Sequence, residues 1–125
     1  MNATQLSTAE STLIRAISAR HVVGARYAAS GDAGVRIFFP HVLYRSAAGE
    51  LLVDVFQVDG PTRAGPLPGW RVLKVAGLRE LEVLDAVFLP VPRLDLVSAD
   101  YRRQILAQCV ETRVAEFADE DDDLP

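Results

Sequence analysis

The chain has 125 residues, 50% of them hydrophobic and 24% charged, which is the size of one domain with a real core and the balance of a globular rather than a disordered protein. Cys109 is the only cysteine, so an intramolecular disulfide and a cysteine-based zinc cage within one chain are both excluded. The formal charge of −4 divides unevenly: Glu116, Asp119, Glu120, Asp121, Asp122 and Asp123 supply six of the 17 acids, leaving 11 acids against 13 bases, or about +2, in the body.

The first residues, Met1 to Gln5, carry no basic leader, and no run approaches the roughly 20 apolar residues of a bilayer-spanning helix. A cytoplasmic protein with no membrane partner is expected, folding alone or as a small oligomer such as a homodimer. Lys74 is the single lysine among the 13 bases. That bias toward arginine weakens any one arginine cluster as a sign of an anion site.

Ser7-Thr8-Ala9-Glu10 has the S-x-x-E spacing of a capping box, in which hydroxyl and carboxylate satisfy each other's orphan backbone donors. It predicts a helix over 8–20 with an apolar stripe of Leu13, Ile14 and Ile17, too short to stand without docking on something. From residue 22 the pattern changes to period two, Val23, Ala25 and Tyr27 against Val22, Gly24 and Arg26, and predicts a strand over 22–29. The turn cluster Ser30 to Gly34 and a second strand from Val35 to Arg45 complete a hairpin. Pro40 has no N–H for a ladder and predicts an edge or a bulge with a bend.

A turn at 47–50 leads to Leu51 to Val58, apolar on both faces except at Asp54 and Gln57, which is the pattern of a central strand. Residues 59–69 hold three glycines and three prolines and read as a long loop. Two further strands are expected over 70–75 and 78–85. Ser98 then caps an expected helix over 99–117, carrying Tyr101, Ile105, Cys109 and Phe117, with Cys109 as a small buried hydrophobe. The whole is an α+β domain over 1–117: a five-stranded antiparallel sheet curled into a barrel over about 22–86, an N-terminal and a C-terminal helix, and an acidic, solvated and disordered tail over 118–125.

His21 and His41, twenty residues apart, have no metal-ligand spacing, and no nucleophile elbow, reactive-cysteine signature, phosphate loop or dinucleotide fingerprint is present. No metal, no cofactor and no enzymatic activity are expected. What remains is a polar set on apolar strands: Arg36, His41, Tyr44 and Arg71. In a regular strand Arg36 and Tyr44 share a face and His41 points away, unless Pro40 shifts the register. Two arginines near a tyrosine suit a phosphate or carboxylate, although spacing alone favours solvated arginines and a rim tyrosine.

From about residue 13 to 84 the order of these elements resembles the WYL domain, a bacterial ligand-sensing module with an Sm-like or SH3-like β-barrel. Ala16-Ile17-Ser18-Ala19-Arg20 leading to Tyr27 is similar to the family's A-I-x-x-x-R opening. Arg36-Ile37-Phe38-Phe39-Pro40 is similar to its R-x-x-x-P element, and Arg71-Val72-Leu73-Lys74-Val75 to its later R-x-F-x-L segment. The Trp-Tyr-Leu triplet is replaced around Leu51-Leu52-Val53, and the arginine closing the later motif falls at Gly77. The resemblance implies a free-standing domain in transcription regulation that takes an anionic small molecule, such as a nucleotide, or a short nucleic acid, through Arg36, Tyr44, Arg71 and His41. The alternative is a protein-interaction scaffold that docks a protein partner at the barrel edge or the 59–69 loop.

Six carboxylates in eight residues repel one another and bury nothing. Deleting 118–125 is expected to leave the melting temperature almost unchanged in a thermal unfolding scan; a fall of several degrees would mean that the tail is docked.

Overall fold

A computed structural model describes residues 2–28, 34–63, 65–92 and 104–109. Helix α1 spans Ala3–Ala19 and begins five residues ahead of the sequence expectation. The working capping box is Asn2 with Gln5, not Ser7 with Glu10: Asn2 Oδ1 accepts from the Gln5 amide at 2.8 Å, and Gln5 Oε1 accepts from the Asn2 amide at 3.0 Å. Ser7 and Glu10 lie inside the helix, where their side chains no longer meet orphan donors. The helix ends where Arg20 turns left-handed at φ 60°, which lets the chain reverse directly into the sheet.

Six strands follow: β1 His21–Tyr27, β2 Arg36–Arg45, β3 Leu51–Asp59, β4 Gly69–Lys74, β5 Leu78–Val87 and β6 Gln104–Gln108. All pairings are antiparallel, in the order β4-β3-β2-β1-β5, with β6 added on β2. β3 is central, as its two-sided apolar pattern requires. A 3₁₀ turn, Val75–Gly77, joins the outer strands β4 and β5. The Lys74 amide donates to Tyr27 Oη at 2.9 Å, linking the end of β4 to the end of β1. The curled sheet is α+β and antiparallel as expected, but it remains open: among the described residues β4 and β5 form no ladder with each other.

The second correction lies at the C-terminal end. Residues 104–108, expected inside a helix over 99–117, form strand β6; the rest of that helix lies outside the described residues. The reason is a vacancy along one edge of β2. β1 pairs β2 only over Arg36 to Phe38, and β6 pairs the same edge over Val42 to Arg45. Unmade ladder bonds on a buried strand are costly, so a segment of helix-compatible composition is recruited to complete them.

The core lies between α1 and one face of the sheet. Ala9, Leu13, Ala16 and Ile17 meet Val23, Ala25, Phe38, Leu43, Val53, Val55 and Leu73, nearly all of them fully buried. Leu13→Ala removes a completely buried side chain from the one helix that covers this face, and is expected to cost about 3 kcal/mol in a urea titration.

Candidate functional site

The placement of every candidate side chain follows from one irregularity. In β2, Phe39 pairs Phe56 and Pro40 pairs Val55, but Val42 pairs Asp54, leaving His41 as an extra residue. Such a bulge inverts the alternation of side chains beyond it. Before it, Arg36 and Phe38 face the core with their partners Ala25 and Val23; after it, Leu43 faces the core with Val53, and Tyr44 is turned outward. Arg36 and Tyr44, expected on one face, are thus on opposite faces.

On the core side the structure brings Arg36 and Arg71 together at one end of the sheet. Arg36 is 4% exposed, donates from Nη1 to Gln57 Oε1 at 3.1 Å, and lies with its guanidinium 4.9 Å from the centre of the Tyr27 ring. Gln57, whose amide interrupts an apolar strand, turns the contact outward: its Nε2 donates to the carbonyls of Asp59, Gly60 and Pro61. Gly60, at φ 96°, passes so close to β2 that a Cβ there would overlap the Val35 carbonyl oxygen. Only glycine fits this crossing.

Arg71 holds the next part of the loop. Its Nε donates to Thr62 Oγ1 at 2.8 Å, its Nη1 to the Trp70 carbonyl at 2.9 Å, and its Nη2 to the carbonyls of Gly65 and Pro66 at 2.8 and 3.1 Å. Every one of these acceptors is neutral, so Arg71's charge is held without a carboxylate. Tyr27, Arg36, Thr62, Arg63 and Arg71 line a concave site of about 270 Å³, with Val72 and Leu73 beside them. Among the described residues, no acidic one lines it. Arg63 and Thr62 carried no signal in the sequence, because a loop has no periodicity from which to place its side chains; Tyr27 was legible only as a strand residue, and Gln57 only as a polar break in an apolar strand.

His41 and Tyr44 belong elsewhere. The His41 ring is fully buried, with Nδ1 2.8 Å from the Phe39 carbonyl oxygen and Nε2 2.9 Å from the Val91 amide. An amide can only donate, so Nε2 is the acceptor nitrogen and the proton sits on Nδ1, which donates to Phe39. The ring packs edge-on to Trp70 at 4.8 Å and beside Phe88 at 5.1 Å, and Phe88 stacks on Phe39 at 4.9 Å. Tyr44 Oη donates to the buried Asp54 carboxylate at 2.9 Å. These are satisfied structural groups on the face opposite the arginines.

A larger groove of about 350 Å³ runs between the Thr4, Thr8 and Thr12 side of α1 and the start of β5. Its Glu80 carboxylate is paired with Arg26 at 3.1 Å, and it collects charge of neither sign. Among the described residues no group of three metal-ligating side chains converges. His41→Leu would leave the Val91 amide without its acceptor, and is expected to cost about 1–3 kcal/mol of stability in a urea titration.

Among solved structures, the chain is similar to proteasome accessory factor B/C (PafBC) of Arthrobacter aurescens, with a TM-score of 0.53 and 20% sequence identity over 72% of this chain. The match covers 13% of that chain, so this chain corresponds to a small part of its length. No family model and no curated protein matches. The likeness supports a WYL-like fold.

Proposed function

We propose that this chain is a non-enzymatic, WYL-like binding domain that takes an anionic ligand, a nucleotide or short nucleic acid, at the concave site formed by Arg36, Arg63 and Arg71. The observation that carries this reading is the convergence of Arg36, Arg63 and Arg71 on one concave site. Charge-assisted hydrogen bonds to phosphoryl oxygens are the strongest that such a site can make. A phosphoryl group would sit against the buried Arg36 and Arg71, and the remainder of the ligand would extend over the exposed Arg63.

The regulatory role implied by the WYL resemblance fits a domain that binds and reports rather than transforms. No described helix is long and apolar enough to cross a membrane, and the reading places the domain in the cytoplasm. A second reading, docking of a protein partner, has its support in β5: this strand ends the sheet order and leaves Val83 and Val87 exposed, with Leu89 just beyond. An open strand edge with apolar side chains suits strand addition.

Calorimetric titration with pyrophosphate, mononucleotides and short oligonucleotides tests the first reading. Replacing Arg63 or Arg71 by alanine is expected to weaken binding roughly 10-fold or more, since a hydrogen bond to a charged group contributes about 1.5–3 kcal/mol. Arg45→Ala, away from the site on a side chain paired with Glu10, is the control. Repeating the titration at two salt concentrations separates a pocket from diffuse attraction, which falls steeply for all variants alike. Absence of binding by the wild type would transfer the function to the β5 edge.

A further inference from the structure

Two buried arginines line the concave site, and both also hold the loop over it. Arg36 acts through Gln57, which gathers the carbonyls of Asp59, Gly60 and Pro61. Arg71 acts directly on Thr62, Gly65 and Pro66. Ligand contact and loop placement therefore draw on the same donors.

For Arg71 the conflict is geometric. A phosphoryl or carboxylate group is gripped by two parallel N–H bonds, from the Nε–Nη2 side of the guanidinium or from its Nη1–Nη2 end. Nη2 belongs to both edges, and both of its protons are engaged, one by the Gly65 carbonyl and one by the Pro66 carbonyl. A two-point grip on an anion must displace at least one of these loop oxygens. If it comes from the side, it displaces the Thr62 hydroxyl as well. The exchange is favourable because a charged acceptor outcompetes a neutral carbonyl for the same donor.

We propose that anion binding at Arg71 releases its hold on Thr62, Gly65 and Pro66, so that ligand occupancy is converted into a change of loop conformation that a partner can read. This rests on the anion-binding reading and adds its output. The ligand shifts the loop equilibrium by its preference for the released state. Gly65, at φ 105° and with open space around its Cβ direction, gives the displaced carbonyl room to swing. Gly60, pressed against β2, fixes the other end of the segment. The loop is thus anchored at Gly60 and latched at Arg71.

Amide hydrogen exchange of Thr62, Arg63 and Gly65 in the full chain, with and without saturating pyrophosphate, reads the release. Exchange is expected to rise several-fold in the bound state. Unchanged or slower exchange in a sample that calorimetry shows to be saturated would overturn the release while leaving the binding site intact; slower exchange would describe a lid that closes. Failure of pyrophosphate to bind at all would end both the site and the release. Thr62→Val supplies an independent sign. Removing an acceptor that competes for Arg71 is expected to tighten pyrophosphate binding roughly threefold or more, whereas equal or weaker binding would mean that Thr62 acts as an ordinary ligand contact and would overturn the latch.

Discussion

The extra residue at His41 is the constraint on which the rest of the structure depends. A single inserted residue in β2 turns Leu43 into the core and Tyr44 out of it, and it sits where β2 exchanges one neighbour for another: β1 ends at Phe38 and β6 begins at Val42. Pro40 occupies this junction without disturbing it, since a residue with no N–H is tolerated where a ladder is interrupted. His41 then uses its freed geometry to pin the chain beyond β5 through Val91. The Cys109 amide, donating to the His41 carbonyl at 2.9 Å, pins the end of β6 at the same point. Without the bulge, Arg36 and Tyr44 would share a face and the polar groups of the domain would be mixed with its core.

The bulge sorts those polar groups into two sets with different physics. On the outer face, the buried pair of Tyr44 with Asp54 and the buried His41 ring with the Phe39 carbonyl and the Val91 amide are groups in which donors meet acceptors. Such groups specify register, because a slipped strand would leave each one desolvated and unmatched. On the core face, Arg36 and Arg71 emerge at the end of the sheet where the core stops and the 59–69 loop begins. Their aliphatic stems lie along apolar neighbours while their charged heads organise a loop that has no regular hydrogen bonding of its own. The loop is ordered by side chains of the sheet, not by its own backbone ladder.

Much of this order is written in the sequence, and the parts that are not have physical reasons. Alternation in Val23, Ala25 and Tyr27, and the two-sided apolar run from Leu51, place β1 and β3 correctly because each pattern is local. The helix start at Asn2 is missed because two capping boxes of the same spacing stand in tandem, and the earlier one adds a turn whose Leu6 packs against the core. β6 is hidden because Gln104 to Gln108 also fits the helical pattern of its surroundings; its conformation is dictated by an edge of β2 some sixty residues away. Pro40 signals an irregularity, yet which residue is extra, and so which of Arg36, His41 and Tyr44 belong together, depends on pairing with β3. Two of the four candidate residues, Arg36 and Arg71, converge, while Arg63, on an irregular loop, leaves no periodic trace.

In the proposed reading Arg71 is a binding group and a structural clamp at once, and its energetic position allows both. Removing a guanidinium from water is unfavourable unless its donors are met, and here they are met by a hydroxyl and by carbonyl dipoles. Dipoles satisfy the hydrogen bonds but leave the charge of Arg71, which keeps an attraction for anions that a carboxylate partner would have cancelled. A salt-bridged arginine in the same place would hold the loop more firmly and bind nothing. Neutral acceptors give a clamp strong enough to order the loop and weak enough for an ionised oxygen to displace. The neutrality of Arg71's acceptors is therefore the feature that, in the proposed reading, suits it to both roles.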